Sequence, residues 1–506
     1  MSESRTGGSL LIRGARVLTM DDARQEWLSA DIVVAGGTIE AVGPDAGRGR
    51  AFERVIEGAG LLAMPGLVNA HFHSPGNLAK GILPGLPLEL FMLYEVPPLA
   101  TDEAGARAGY VGTMQGAMEM LRRGVTSVHD DAFHVPAATP GSVDAIMQAY
   151  ADSGMRATVA IDQPNVVEYE KYPYLGEMIP DDVRRAMDEA PRQSADELVE
   201  LYRHLIGRWH GAAGGRLRAA VSCSAPQRVT EPYFRALSAL SREHDLPFNI
   251  HILETKLQRV LGEVKYGKSL VRHVHDLGLL DERMMVIHAI WIDDEDVALL
   301  ARSGCTVAHN PVCNLRLGSG VMPFRKLRDA GVPICIGTDE ATTDDAINVW
   351  FAAKVAAMLH SLSGAEYESW PDAREILDAV LLGGARAMRL GDRIGRLARG
   401  YAADIVLLDL DTAAFTPCND LVRQLVLCED GSSVRTTIVD GRVVFEDGRL
   451  TTVDERALRA EARSIAAAQA PRLAEAASAA RRLDPYYRRM YLRASQQDVG
   501  LHRRLA

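Results

Sequence analysis

Eight short apolar runs recur between residues 67 and 340, each closing on or beside a polar side chain, and helical periodicity fills most of the gaps between them. The runs are LVNAHFH (67–73), TSVHDDAF (126–133), RATVAIDQ (156–163), RAAVSCSAP (218–226), PFNIHILE (247–254), MMVIHAIW (284–291), TVAHNP (306–311) and PICIGTDE (333–340). Each has the length of a buried strand. The stretch AGARAGYVGTMQGAMEMLRRG (104–124) is amphipathic and ends on a glycine placed to cap a helix. Strand–helix alternation on this scale predicts an α/β chain folded as a (β/α)8 TIM barrel, in preference to an open sheet. In such a barrel the chemistry sits at the C-terminal strand ends. Polar residues gather there: His71 and His73, Asp130 and Asp131, Gln163, Gln227, His251 and Glu254, His288, His309 and Asp339. That placement points to an enzyme.

The flanks read differently. Residues 9–64 alternate as short strands with turns, and the texture returns in ADIVLLDLD (403–411) and VRTTIVDGRVVFEDGRL (434–450), where Asp440-Gly441 is a hairpin signal. The expected division is a β-sandwich formed by residues 1–65 and 395–450, the barrel over 66–394, and a helical tail over 451–506. The tail is rich in Ala, Arg and Glu, and a break is expected around Pro471 and Pro485. Its Tyr486, Tyr487 and Tyr491 are placed to dock on the barrel or on a second subunit.

Charge and cysteine usage narrow the class. A net charge of −11 disfavours nucleic acid as the partner. The six cysteines form no CxxC pair, as in a reducing compartment. No apolar stretch reaches signal-peptide or membrane-span length, so a soluble cytoplasmic protein with no membrane partner is expected.

Residues i and i+2 of a strand share a face, so His71 and His73 can reach one metal ion. His251 can supply a third ligand from the fifth run, with Glu254 three residues on as a proton shuttle. His288 ends the sixth run. Asp339 ends the last barrel run, where a buried carboxylate calls for a cation. Three neutral imidazoles and one carboxylate suit one Zn2+, and Fe2+ is acceptable.

The motifs PGLVNAHFH, NIHILET, VIHAIW, VAHNPVCNLRLGSGVMP and GTDEATTDD, in that order, resemble those of the amidohydrolase superfamily. Within it they are similar to the branch of cytosine, guanine and S-adenosylhomocysteine deaminases and triazine chlorohydrolases, over nearly the whole chain to about residue 450. The resemblance implies a single metal on His71, His73, His251 and Asp339, since RAAVSCSAPQ lacks the carboxylated lysine of the two-metal branches. It also implies roles. Asp339 takes a proton from the attacking water, Glu254 protonates a ring nitrogen, and His288 hydrogen-bonds the attacking oxygen. A homodimer or larger assembly is implied as well.

Departures from the pattern bear on substrate. Adenosine-analogue deaminases carry a ribose-holding Glu after the first strand. Here the stretch is FMLYEVPPLAT, with Glu95 out of step and Ala100 at the expected place. Ser224 stands where those enzymes have a His, and both changes weaken a nucleoside substrate. The usual GTDG is GTDE, so Glu340 is a candidate for a cationic or amino-rich ligand, while Asp344 and Asp345 are expected to cap the helix AINVWFAAKVAAMLH (346–360). Gln227, Trp291 and Asn314 are further candidate substrate contacts, and residues 76–98 read as a lid. His309 is expected to support its loop; His129 and His134 have no assigned role.

The expected activity is hydrolytic deamination of an amino-substituted nitrogen heterocycle, resembling a nucleobase, pterin or triazine. The alternative expels chloride, an alkylamine or a carbamate or urea nitrogen with the same residues. A binding or scaffold protein is disfavoured, because every residue of the catalytic set is present.

Overall fold

In the computed structural model, which describes residues 8–96, 105–362, 364 and 366–504, the alternating ends of the chain pair with one another. Strand Leu61–Pro65 lies antiparallel to Ile405–Asp409, with Pro65 opposite Ile405 and Leu61 opposite Asp409. That pairing joins both flanks into one nine-stranded sheet. At its far end Asp440 (φ 51°) and Gly441 (φ 75°) turn Val434–Val439 back into Arg442–Glu446. Two left-handed residues give the turn whose twist matches its strands. Alternate residues Ile12, Ile32, Val34, Ile39, Ile405, Leu407 and Ile438 form the buried face.

Between the flanks stand eight parallel strands. They are Leu67–Phe72, Val125–Phe133, Arg156–Asp162, Leu217–Ala219 continuing as Val221–Ser222, Phe248–Ile252, Met284–His288, Thr306–His309 and Ile334–Ile336. The fourth is interrupted at Ala220, whose N–H bonds Val159 (2.8 Å) while Val221 N–H bonds Pro247 (2.9 Å), so the ladder passes from one neighbour to the next. The ring closes where Asp339 N–H donates to the His71 carbonyl (2.9 Å) and Thr338 and Asn69 exchange side-chain bonds. Gly337 permits that approach: a Cβ there would stand 2.7 Å from the Cβ of His71. Ala70, Met285, Ile287, Ala308 and Cys335 fill the interior, as inward-pointing layers do in such barrels.

The tail departs from expectation. Helix Glu455–Ser495 runs unbroken through Pro471 and Pro485. A proline costs a helix one hydrogen bond and crowds the preceding turn, but here Ala480, Leu483, Tyr487, Met490 and Ala494 are buried at alternating spacings of three and four on both sides of Pro485. Packing outweighs the local penalty. Tyr487 sits edge-on to Tyr172 (5.5 Å), and Tyr94 donates to Asp484 (2.9 Å), so the tail docks on its own chain. It backs helix Leu88–Glu95, which occupies the predicted lid. Tyr487→Ala is expected to cost about 3–5 kcal/mol, measured as a fall in melting temperature; an unchanged value would mean the tail is not part of the core.

Candidate active site

His71 and His73 leave the first barrel strand on the same side, as the period of two requires. Their Nε2 atoms each lie 3.5 Å from Asp339 Oδ1. The His251 ring centroid is 5.0 Å from that of His71 and 5.4 Å from that of His73. His73 Nδ1–H donates to the Asp131 carbonyl (2.5 Å) and His251 Nδ1–H to the Ser224 carbonyl (2.8 Å). Both bonds leave Nε2 free to face the cluster, the arrangement that orients ligating imidazoles. His71 is fully buried with neither nitrogen hydrogen-bonded. Three donor groups among the described residues, His71/His73/Asp339, His71/His251/His288 and His73/Asp162/His251, each bring their atoms within 4.8 Å of one another. An orphaned buried imidazole among these partners fits a divalent metal ion.

Electrostatics agree for two of the three histidines, while at His73 burial is outweighed by the surrounding carboxylates, which raise it. Burial pushes His71 down to about 4, and burial with the neighbouring imidazoles holds His251 well below its ordinary value, so both are neutral donors near pH ~7. Burial alone would raise the Asp339 carboxyl, but the facing His71, His288 and His73 outweigh it and hold it well below the usual range.

Four residues at the strand ends carry left-handed backbone. Leu253 (φ 54°), His288 (φ 74°), Ala289 (φ 47°) and Asp339 (φ 63°) are left-handed without being glycine, at about 1–3 kcal/mol each. Bonds from Ala289 N–H to Ile252 (3.1 Å) and Trp291 N–H to Leu253 (2.8 Å) lock the turn. It brings His288 Nε2 to 3.5 Å from both Glu254 Oε2 and Asp339 Oδ2. Ser319 Oγ donates to Glu254 Oε1 (3.3 Å), and burial raises the Glu254 pKa. A carboxyl with a raised pKa, an imidazole and a carboxylate held ionised thus stand in contact.

The remaining candidates divide. Glu340 lines the cleft beside His73, His251, Glu254, His288 and Asp339. Asn314 stands behind His288, its Oδ1 accepting from Nδ1 (2.9 Å), and so positions the imidazole without lining the cleft. Trp291 is buried in the core, its Nε1–H donating to Ser319 (2.8 Å), because the turn after His288 folds it inward. Gln227 lines a separate cleft beneath the lid with Glu89 and Arg228. Neither Asp344 nor Asp345 caps the helix Val349–Leu359; Asn348 does, through Trp350 and Phe351 N–H, and Asp345 instead binds Gly81 N–H and Arg316. His309 bonds His360 Nε2 (3.1 Å), and His129 and His134 are buried outside the cleft lining.

Three charged lining residues escaped the sequence reading. Glu95, assigned there to the wrong step, accepts from Thr342 Oγ1 (2.7 Å) and faces Glu340; Ala100 lies outside the described residues. Asp162 and Arg228 also line the cleft. Alternation places Asp162 and Gln163 on opposite strand faces, so only one can point there, and the nearby pattern does not say which.

The lid helix is tied down by a buried carboxyl. Thr255 Oγ1 donates to Glu89 Oε1 (2.5 Å), beside Glu254, and burial pushes Glu89 up to about 7 from 4.5. A raised carboxyl favours the protonated fold: its stabilisation is complete below about pH 4.5 and is lost as pH rises through about 7, up to about 3 kcal/mol. The melting temperature of Glu89→Gln should therefore fall less than that of the parent between about pH 5 and about pH 8. Parallel curves would refute the burial argument.

A model of the amidohydrolase family matches residues 62–444. A 5'-deoxyadenosine deaminase from Methanosarcina mazei is 30% identical over 457 residues, covering 90% of this chain and 97% of the relative. Among solved structures, a zinc-bound adenosine deaminase from Xanthomonas campestris superposes with a TM-score of 0.80 at 28% identity, over 92% of this chain and 98% of that one. A zinc-complexed atrazine chlorohydrolase from Arthrobacter aurescens superposes at 0.81 and 26%, over 90% and 100%.

Proposed function

From the premise that the chain belongs to the amidohydrolase family, we propose that it is a metal-dependent aminohydrolase, replacing the amino group of a nitrogen heterocycle by oxygen and releasing ammonia. The observation that carries this reading is the contact chain Glu254–His288–Asp339 set against His71, His73 and His251 at the strand ends. His71, His73, His251 and Asp339 would hold one divalent metal. Zinc is our first assignment, supported by the two zinc-bound neighbours, and iron(II) suits the same donors. When bound, the metal supplies a Lewis acid that polarises the water and the target carbon.

The chain's own residues do the rest. Asp339 Oδ2 accepts the proton that the attacking water gives up. His288, with Nδ1–H committed to Asn314, accepts a hydrogen bond at Nε2 from the attacking oxygen and fixes its direction. Glu254, whose pKa burial raises, gives its proton to the ring nitrogen beside the reacting carbon, where negative charge would otherwise build. The proton held by Asp339 passes to the amine, the C–N bond breaks and ammonia leaves, and the proton remaining on the new oxygen returns to Glu254 as the carbonyl forms. Leu88, Phe91 and Phe133 wall the cleft against water.

The test is ammonia release by the metal-loaded protein across aminated pyrimidines, purines, 5'-deoxyadenosine, pterins and triazines, with Glu254→Gln as blank. Ammonia from one ring class, absent from the blank, establishes the reading; silence across the panel retires it. The second reading, expulsion of chloride, is favoured by the likeness to an atrazine chlorohydrolase, and chloride release is assayed in the same reactions.

We retain the division at 65, 394 and 450 as our reading of the domains, supported by the pairing of the flanks around the barrel. No helix among the described residues is long and apolar enough to cross a membrane. A cytoplasmic place is supported by six unpaired cysteines. A homo-oligomer is supported by exposed Phe351, Met358, Leu362 and Tyr367, along and just after helix Val349–Leu359.

A further inference from the structure

The cleft carries more carboxyl groups than deamination uses. Beyond Glu254 and Asp339 it is lined by Glu95 from the lid helix, Asp162 from the third strand end and Glu340 from the eighth, while Arg228 is the one Lys or Arg among its described lining residues. Glu340 begins the short helix Ala341–Asp344 but makes no side-chain cap to it. Its carboxyl instead occupies the space left by Gly76, where a Cβ would come within 2.6 Å of Oε1, and it meets Glu95. Glu95 is steadied by Thr342 Oγ1. Asp162 adds a further observation: it is 2% exposed, it lines the cleft beside His73 and His251, and its Oδ1 has no hydrogen-bond partner. A buried acceptor left bare is costly unless a donor arrives.

The other walls are apolar and suit a flat ring: Leu88, Phe91, Met92, Val96 and Phe133. A neutral heterocycle would satisfy the metal side but leave the bare Asp162 oxygen without a donor and the adjoining Glu95 and Glu340 carboxyls without a counter-charge. We propose that Glu95 and Glu340, with the bare oxygen of Asp162, select substrates whose ring bears a second nitrogen group that is cationic, such as an amidinium, guanidinium or ammonium, besides the amine that leaves. The inference rests on the aminohydrolase reading and specifies its substrate class. A planar amidinium offers two parallel N–H donors to a carboxylate, which gives direction as well as charge.

The test uses a matched pair of flat probes, cationic benzamidine and neutral benzamide, titrated calorimetrically into the metal-loaded protein. Benzamidine should bind about ten- to hundred-fold more tightly, and the preference should collapse in Glu95→Gln and in Glu95→Gln/Glu340→Gln. Glu340 adjoins a metal ligand, so metal content is measured alongside, and Glu95→Gln carries the test alone if the double variant loses its metal. Equal affinities, no benzamidine binding at millimolar concentration, or a preference that survives Glu95→Gln would each overturn the proposal. Ammonia release is read separately: release without a cation preference sinks this inference alone. A cation preference without release from any ring sinks the aminohydrolase reading and leaves the acidic pocket standing.

Discussion

His251→Ala protein is expected to retain its metal at least about 100-fold more weakly than the parent and to lose its turnover with it. Even groups that merely support a ligand cost about 10- to 100-fold when removed, and His251 contributes a donor directly. The imidazole is held for that task by the Ser224 carbonyl, and its neutral state follows from burial among three other imidazoles. Metal analysis after dialysis gives the readout, together with activity after reloading. Full metal occupancy in the variant would break the proposed ligand set.

Glu254→Gln is expected to lower kcat by about 10²- to 10⁴-fold with KM and metal content little changed, since the amide fills the same space but has no acid proton to deliver. The parent should also show a pH signature. A general acid works while protonated, so activity falls as pH rises through the Glu254 pKa, and burial moves that fall above the ordinary carboxylate range. In Glu254→Gln the residual rate should lose that limb of the profile. A kcat within about threefold of the parent would mean that another group supplies the proton.

Both effects depend on residues whose positions arise by different routes. His71 and His73 follow from the strand period, which is local: any strand at 67–72 puts them on one face. The Asp440-Gly441 hairpin was equally legible, because its turn needs two left-handed residues and these supply them. The tail is a helix as its composition predicts, but its continuity is not legible for the opposite reason. Two prolines are a strong local signal for a break, and only the docking of Leu483, Tyr487 and Met490 shows why the helix continues.

Candidate substrate contacts were the least legible. Trp291 and Asn314 were chosen by residue type near a strand end. Left-handed backbone at His288 and Ala289 turns the segment so that Trp291 enters the core, and Asn314 stands behind His288. Glu95 was set aside because it did not fit a register, yet the lid helix is pressed down by the tail and carries Glu95 into the cleft.

The sequence by itself determined the barrel, the flanking sheet and the chemistry of the metal ligands, because strand periodicity and donor type are set by neighbours a few residues away. Tertiary structure alone decided which acceptors face the substrate and which polar residues merely brace the catalytic ones. Those choices depend on closure of the eight strands and on a tail helix hundreds of residues from the lid it holds, contacts whose partners no short stretch of chain encodes.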